Sequence, residues 1–129
     1  MKNSYTGNFF FILSKGLNAG KPMDKPCPNC FVLFAKDEQE KDLLFWLCFG
    51  LWQANHFQLF LTGSVIPFIR VDDLREVINQ GFQKVQLNPE EFKKSVDIIT
   101  KLQTHQEHIS QQLQLIKKAK KALMYKVLR

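Results

Sequence analysis

The chain is poor in the features that usually declare a function. Its 129 residues hold three cysteines, an odd number, which does not make the disulfide framework of a small secreted domain. His56, His105 and His108 are the whole supply of imidazole. The longest apolar run, residues 43–52, has ten residues against the roughly twenty that a membrane span requires. Met1, Lys2, Asn3, Ser4 and Tyr5 lead into only five apolar residues, too short a core for a signal peptide. No Ser-His-Asp order, His-Glu-x-x-His pair, paired-carboxylate cleft or dinucleotide-binding glycine pattern occurs. These absences lead us to expect a cytoplasmic protein with no membrane association, no catalytic residues and no cofactor.

Glycine and proline are missing where their absence says most. From Glu90 to Arg129 neither occurs, so nothing interrupts a helix. Asn88 suits the N-cap, Pro89 the first helical position, and Glu91 the carboxylate that reaches back in a capping box. Ile99, Gln106, Leu113, Lys120 and Val127 form one heptad line, and Leu102, Ile109, Ile116 and Leu123 the other. Only Gln106 and Lys120 interrupt the apolar seam. Such a helix is roughly 60 Å long, more than a small domain can cover, so Ile99, Leu102, Ile109, Leu113, Ile116 and Leu123 are expected to meet a partner, in the simplest case a second copy. A heptad alone does not choose between parallel and antiparallel pairing.

Acid is missing after Glu107. Residues 1–88 carry nine Lys/Arg against eight Asp/Glu, whereas residues 89–129 carry nine against four. The excess gathers in Lys117, Lys118, Lys120, Lys121, Lys126 and Arg129. Lysines there complement the helix macrodipole and solubilise its end, or they face an anionic partner such as nucleic acid or an acidic protein surface.

Ahead of this helix the chain reads as a small α/β domain. The bulky run at residues 9–13 has strand length. Residues 15–22 follow as a loop with two glycines and two lysines, but without the Gly-Lys-Ser/Thr that closes a phosphate loop. Cys27 and Cys30 stand in a Cys-x-x-Cys pair, which Cys48 and His56 could complete as a zinc site. A second close pair is lacking, Cys48 sits in the apolar run, and residues 31–35 look like a strand rather than the helix a redox motif opens. Structural cysteines, and no metal, are the reading adopted.

Asp37 caps a helix, with Glu40 three residues on, that runs towards Asn55 and is apolar nearly all round after its first turn. Residues 57–61 and 65–71 read as strands, the second confined to an edge or a bulge by Pro67. Asp72 or Asp73 then caps a helix ending near Gly81, and residues 82–87 are a short strand or a connector. The expected architecture is α/β (α+β). A mixed-sheet domain of about four strands with a buried apolar helix occupies residues 1–88, and one long C-terminal coiled-coil helix occupies residues 89–129.

Two stretches carry a resemblance. Gly63-Ser64-Val65-Ile66-Pro67-Phe68-Ile69-Arg70-Val71-Asp72-Asp73-Leu74 resembles a motif in the target-recognition domains of type I restriction–modification specificity subunits. The Gln- and Leu-rich run at residues 109–116, passing into lysines and leucine up to Met124, is similar to the helix that follows each such domain. The family carries two domains and two helices, and this chain would be half of that. The resemblance implies a DNA-associated, non-enzymatic protein, a homodimer through its C-terminal helix, binding DNA or a DNA-methyltransferase partner. The phosphate-contacting candidates are Lys15 and Lys21, which flank the glycine loop, and Arg70, which ends the stretch that carries the resemblance. A coiled-coil protein–protein interaction module with no nucleic-acid binding is the alternative. The chain also resembles a family of short bacterial proteins of no assigned activity found near mobile elements, through residues 26–31, 46–52 and 63–70.

Overall fold

The computed structural model describes residues 7–129, so the Met1 to Tyr5 stretch lies outside the described residues. The chain divides into two units, Met1–Asn88 and Pro89–Arg129. The first is built on a three-stranded antiparallel sheet of order β2-β1-β3, made by β1 (Asn8–Leu13), β2 (Pro22–Met23) and β3 (Cys30–Ala35). β1 pairs along its length with β3, from Asn8 opposite Ala35 to Leu13 opposite Cys30, and at Phe11 and Ile12 with β2. As the central strand it is buried on both faces, at Phe10, Phe11 and Ile12. This explains why its sequence is continuously apolar and does not alternate. The α/β class expected from the sequence is what forms, with three antiparallel strands where about four were expected.

α1 (Glu38–Gln53) starts where the sequence placed it. The Asp37 carboxylate accepts the Glu40 N–H at 2.8 Å, and the Glu40 carboxylate accepts the Lys36 N–H at 3.3 Å. Its end is a Schellman arrangement, with Asn55 N–H donating to Trp52 and His56 N–H to Leu51 around Asn55 at φ 62°. Asparagine is the residue after glycine that tolerates this left-handed backbone. The helix packs on the sheet and on α2 (Val71–Leu87), with Leu47, Cys48 and Leu51 innermost. The Phe45 ring meets Phe10 edge-on at 5.4 Å, and Trp46, Phe49 and Trp52 continue an edge-to-face ladder along the helix. Two covered sides account for a helix that is apolar nearly all round.

Three local expectations give way here. Residues 57–61 form a 3₁₀ turn (Gln58–Phe60), because Phe57 is buried while Leu59 is 88% exposed, and a strand would put both on one face. Residues 65–71 are not a strand either: only isolated bridges at Phe68 form, to Thr62 and Lys15. Val65 and Ile66 have no sheet to cover and stay exposed. The helix expected to end at Gly81 continues to Leu87, so residues 82–87 are helical. Gly81 is a packing glycine and not a terminator. It is buried with Leu74, Val77 and Ile78, and a Cβ there would stand 3.1–3.2 Å from the methyls of Leu47 and Leu51. The helix is capped from Arg70, which makes no side-chain cap bond, so Asp72 and Asp73 lie inside the first turn and complement the dipole instead.

The second unit is one helix, α3 (Pro89–Leu128). Pro89 holds its first position, where the missing N–H costs nothing. Thr100 and Thr104 return their hydroxyls to the carbonyls of Val96 and Thr100, at 2.8 and 3.1 Å. No residue of α3 is buried.

Candidate interaction surfaces

The seam of α3 is set by the heptad alone. Phe92, Val96, Ile99 and Gln103 are half-buried, and every residue from Thr104 to Arg129 is exposed. Ile109, Leu113, Ile116 and Leu123 are 51%, 50%, 54% and 61% exposed, and Leu102 and Val127 are exposed as well. A single exposed leucine is ordinary, but a row at spacings of three, four and seven keeps these side chains on one face of the helix. The partner-facing residues expected from the sequence therefore share one side of one helix, with Ile99 at its half-buried end.

The second surface is a loop edge of the α/β unit. Thr62 and Phe68 exchange both backbone hydrogen bonds, at 2.9 and 2.8 Å, closing a loop whose tip is Gly63 to Pro67. Gly63 has φ +102°, and a Cβ on it would lie 2.8 Å from the Ile66 carbonyl oxygen. The loop is tied to the one after β1: Gly16 N–H donates to Pro67 at 2.7 Å and Ile69 N–H to Ser14 at 3.0 Å. This brings Lys15 and Arg70, both exposed, onto adjoining backbone. It does not bring Lys21 to them as a free cation, since the Lys21 ammonium lies 5.1 Å from the centre of the Trp52 ring. Asp72, two residues beyond Arg70, pairs with Arg75 at 3.9 Å. Leu17, Val65 and Ile66 are 72%, 89% and 62% exposed on the two tied loops. The strand reading of residues 65–71 had hidden this apolar tip; the signal for it was the Gly63-Ser64 pair before Pro67.

The cysteines do not converge. Cys30 Sγ donates to the Cys27 carbonyl at 3.1 Å and Cys27 Sγ to that of Asn29 at 3.5 Å, both thiols half-buried. Cys48 is fully buried on α1, and burial pushes its thiol up to about 12. His56 is exposed beyond the end of α1, and His105 and His108 are exposed on α3. Among the described residues no three His, Cys, Asp or Glu side chains group as metal ligands. A groove of about 460 Å³ between the end of α1 and α2 is lined mainly by apolar groups, with His56 and Lys84 among its lining residues. No described helix is long and apolar enough to cross a membrane.

The family is decided by the whole chain. A family model covers residues 1–126. The chain belongs to the family of unknown function DUF6943. No curated protein and no solved structure matches it. Family membership thus spans the α/β unit and nearly all of α3, so the exposed seam belongs to the family's defining region.

Proposed function

We propose that this protein is a non-catalytic assembly module, a small α/β unit carried on a helix that pairs with a second copy of itself. The observation that supports this is the row Ile109, Leu113, Ile116 and Leu123, each half or more exposed in a stretch where nothing is buried. Full burial of such a side chain is worth about 1.5–3 kcal/mol, so covering the exposed half of each recovers about 1 kcal/mol. Six such residues on each copy, Leu102 and Val127 included, recover on the order of 12 kcal/mol against a cost of association of about 4 kcal/mol at its lower estimates, and give a dimer of micromolar affinity. Ile109→Asp combined with Ile116→Asp tests the reading. The variant should be monomeric by light scattering while the α/β unit keeps its melting temperature.

A second reading, DNA association of the dimer or of a DNA-modifying partner it holds, is favoured by the meeting of Lys15 and Arg70 on one loop edge. So few phosphate contacts per unit imply weak non-specific binding, on the order of 10⁻⁴–10⁻⁶ M at physiological salt, raised in a dimer by effective concentration. Binding to random duplex DNA across a salt series should show a negative log–log slope, shallower in Lys15→Ala with Arg70→Ala. No binding at low salt would remove this reading and leave the assembly module.

A further inference from the structure

The two halves of the exposed seam differ in charge. Residues 102–114 contain one acid, Glu107, and no lysine or arginine, while residues 115–127 contain five lysines and no acid. All of them but Gln103, which is half-buried, are exposed. We infer that two copies of α3 pair antiparallel, with the two-fold axis crossing the helices between Gln114 and Leu115, an inference that rests on the self-association proposed above.

Paired helices lie 8–10 Å apart, close to the Debye length of about 8 Å at physiological ionic strength. Charges on facing helices are therefore only partly screened. Parallel pairing sets each run of five lysines beside its copy. Antiparallel pairing sets each beside the half that carries Glu107, which comes level with Ala122 of the second copy, between Lys118 and Lys126.

The seam residues lead to the same arrangement. In a parallel dimer equivalent positions face each other, so Lys120 meets Lys120 inside the interface, a buried like-charge pair. With the axis placed here, Leu102 faces Val127, Gln106 faces Leu123, Ile109 faces Lys120 and Leu113 faces Ile116 of the second copy. Each polar seam residue then lies against an aliphatic one, along which a lysine stem can run while its ammonium reaches water. The overlap at residues 102–127 leaves out Ile99, which is already half-buried, and uses the fully exposed turns. The basic end of α3 is thus accounted for as one half of a self-complementary surface.

A spin label on Tyr125→Cys reads the orientation directly in the full chain. Cys27→Ser and Cys30→Ser remove the two accessible thiols, and Cys48, fully buried, stays unlabelled. Tyr125 lies on the face away from the seam, so the labels stand about 20 Å apart across the pair, and antiparallel pairing with this axis adds 21 residues of helix rise, about 30 Å, for a distance of about 37 Å. A pulsed dipolar distance centred there, with a dimer mass by light scattering, supports the inference. A dimer with any other principal distance, above all one near 20 Å as parallel pairing requires, overturns it and leaves self-association standing. A monomer without dipolar signal at concentrations of order 100 μM, the labelling substitutions having left its circular dichroism unchanged, overturns both.

Discussion

In the α/β unit Phe10, Ile12, Leu47 and Leu51 lie inside, whereas in α3 Ile109, Leu113, Ile116 and Leu123 lie in solvent. Both helical sets recur at spacings that make an apolar face; what differs is the width of that face and what stands against it. α1 is apolar nearly all round and has the sheet on one side and α2 on another. α3 carries a seam two residues wide, enough for one neighbour, and residues 104–129 along it are all exposed. The width of an apolar face thus counts the neighbours a helix can take, more than one for α1 and one for α3. The α/β unit is closed in this sense, while α3 is open.

The sharpest way to break that contrast is to open the closed unit. Gly20 has φ +101°, and a Cβ on it would overlap the ring of Phe57, which is fully buried. Gly20→Ala combines backbone strain with displacement of a core aromatic, and it should cost about 3 kcal/mol or more in urea unfolding. An unchanged midpoint would mean that Phe57 does not seal this corner.

The same closure can be read at neutral and high pH through a thiol. With its folded value raised from 9.0 to about 12 by burial, Cys48 stays protonated where the unfolded thiol ionises. Its contribution to stability is complete below pH 9 and is lost as pH rises from 9 towards about 12, by about 1.4 kcal/mol per pH unit. At neutral pH an aromatic disulfide reagent should titrate Cys27 and Cys30 at once and Cys48 only at the rate of unfolding. Rapid reaction of all three thiols would contradict a closed core. The smallest effect is expected from chelation. Removing metal should leave the melting temperature unchanged, since Cys27 and Cys30 bond to local carbonyls and Cys48 stands apart in the core; a stoichiometric zinc signal by elemental analysis would reverse this.

Elements whose stops are written in side-chain chemistry were legible in the sequence. Asp37 and Glu40 cap α1 as read, and Pro89 opens α3 as read. The central strand was legible from its unbroken apolar run. Elements set by what lies opposite them were not. Gly81 looks like a helix terminator until Leu47 and Leu51 are placed against it, and Phe57 and Leu59 look like one strand face until one is buried and the other is not. β2, two residues long, has no periodicity to detect; it forms because Leu13 N–H reaches Lys21 and Gly20 N–H reaches Leu13 around two glycines with positive φ. Of the candidate surfaces, the α3 seam came wholly from the heptad. The loop edge needed the backbone ties between residues 14–16 and 67–69, which no local pattern encodes.

The claim that α3 is the open half of the molecule is tested most directly by sedimentation equilibrium of the full wild-type chain over a concentration series from about 1 to 100 μM. A monomer–dimer equilibrium that Ile109→Asp with Ile116→Asp abolishes, with helical circular dichroism of the α/β unit retained, is the predicted result. A wild-type mass that stays at 15.1 kDa across the whole series would contradict it.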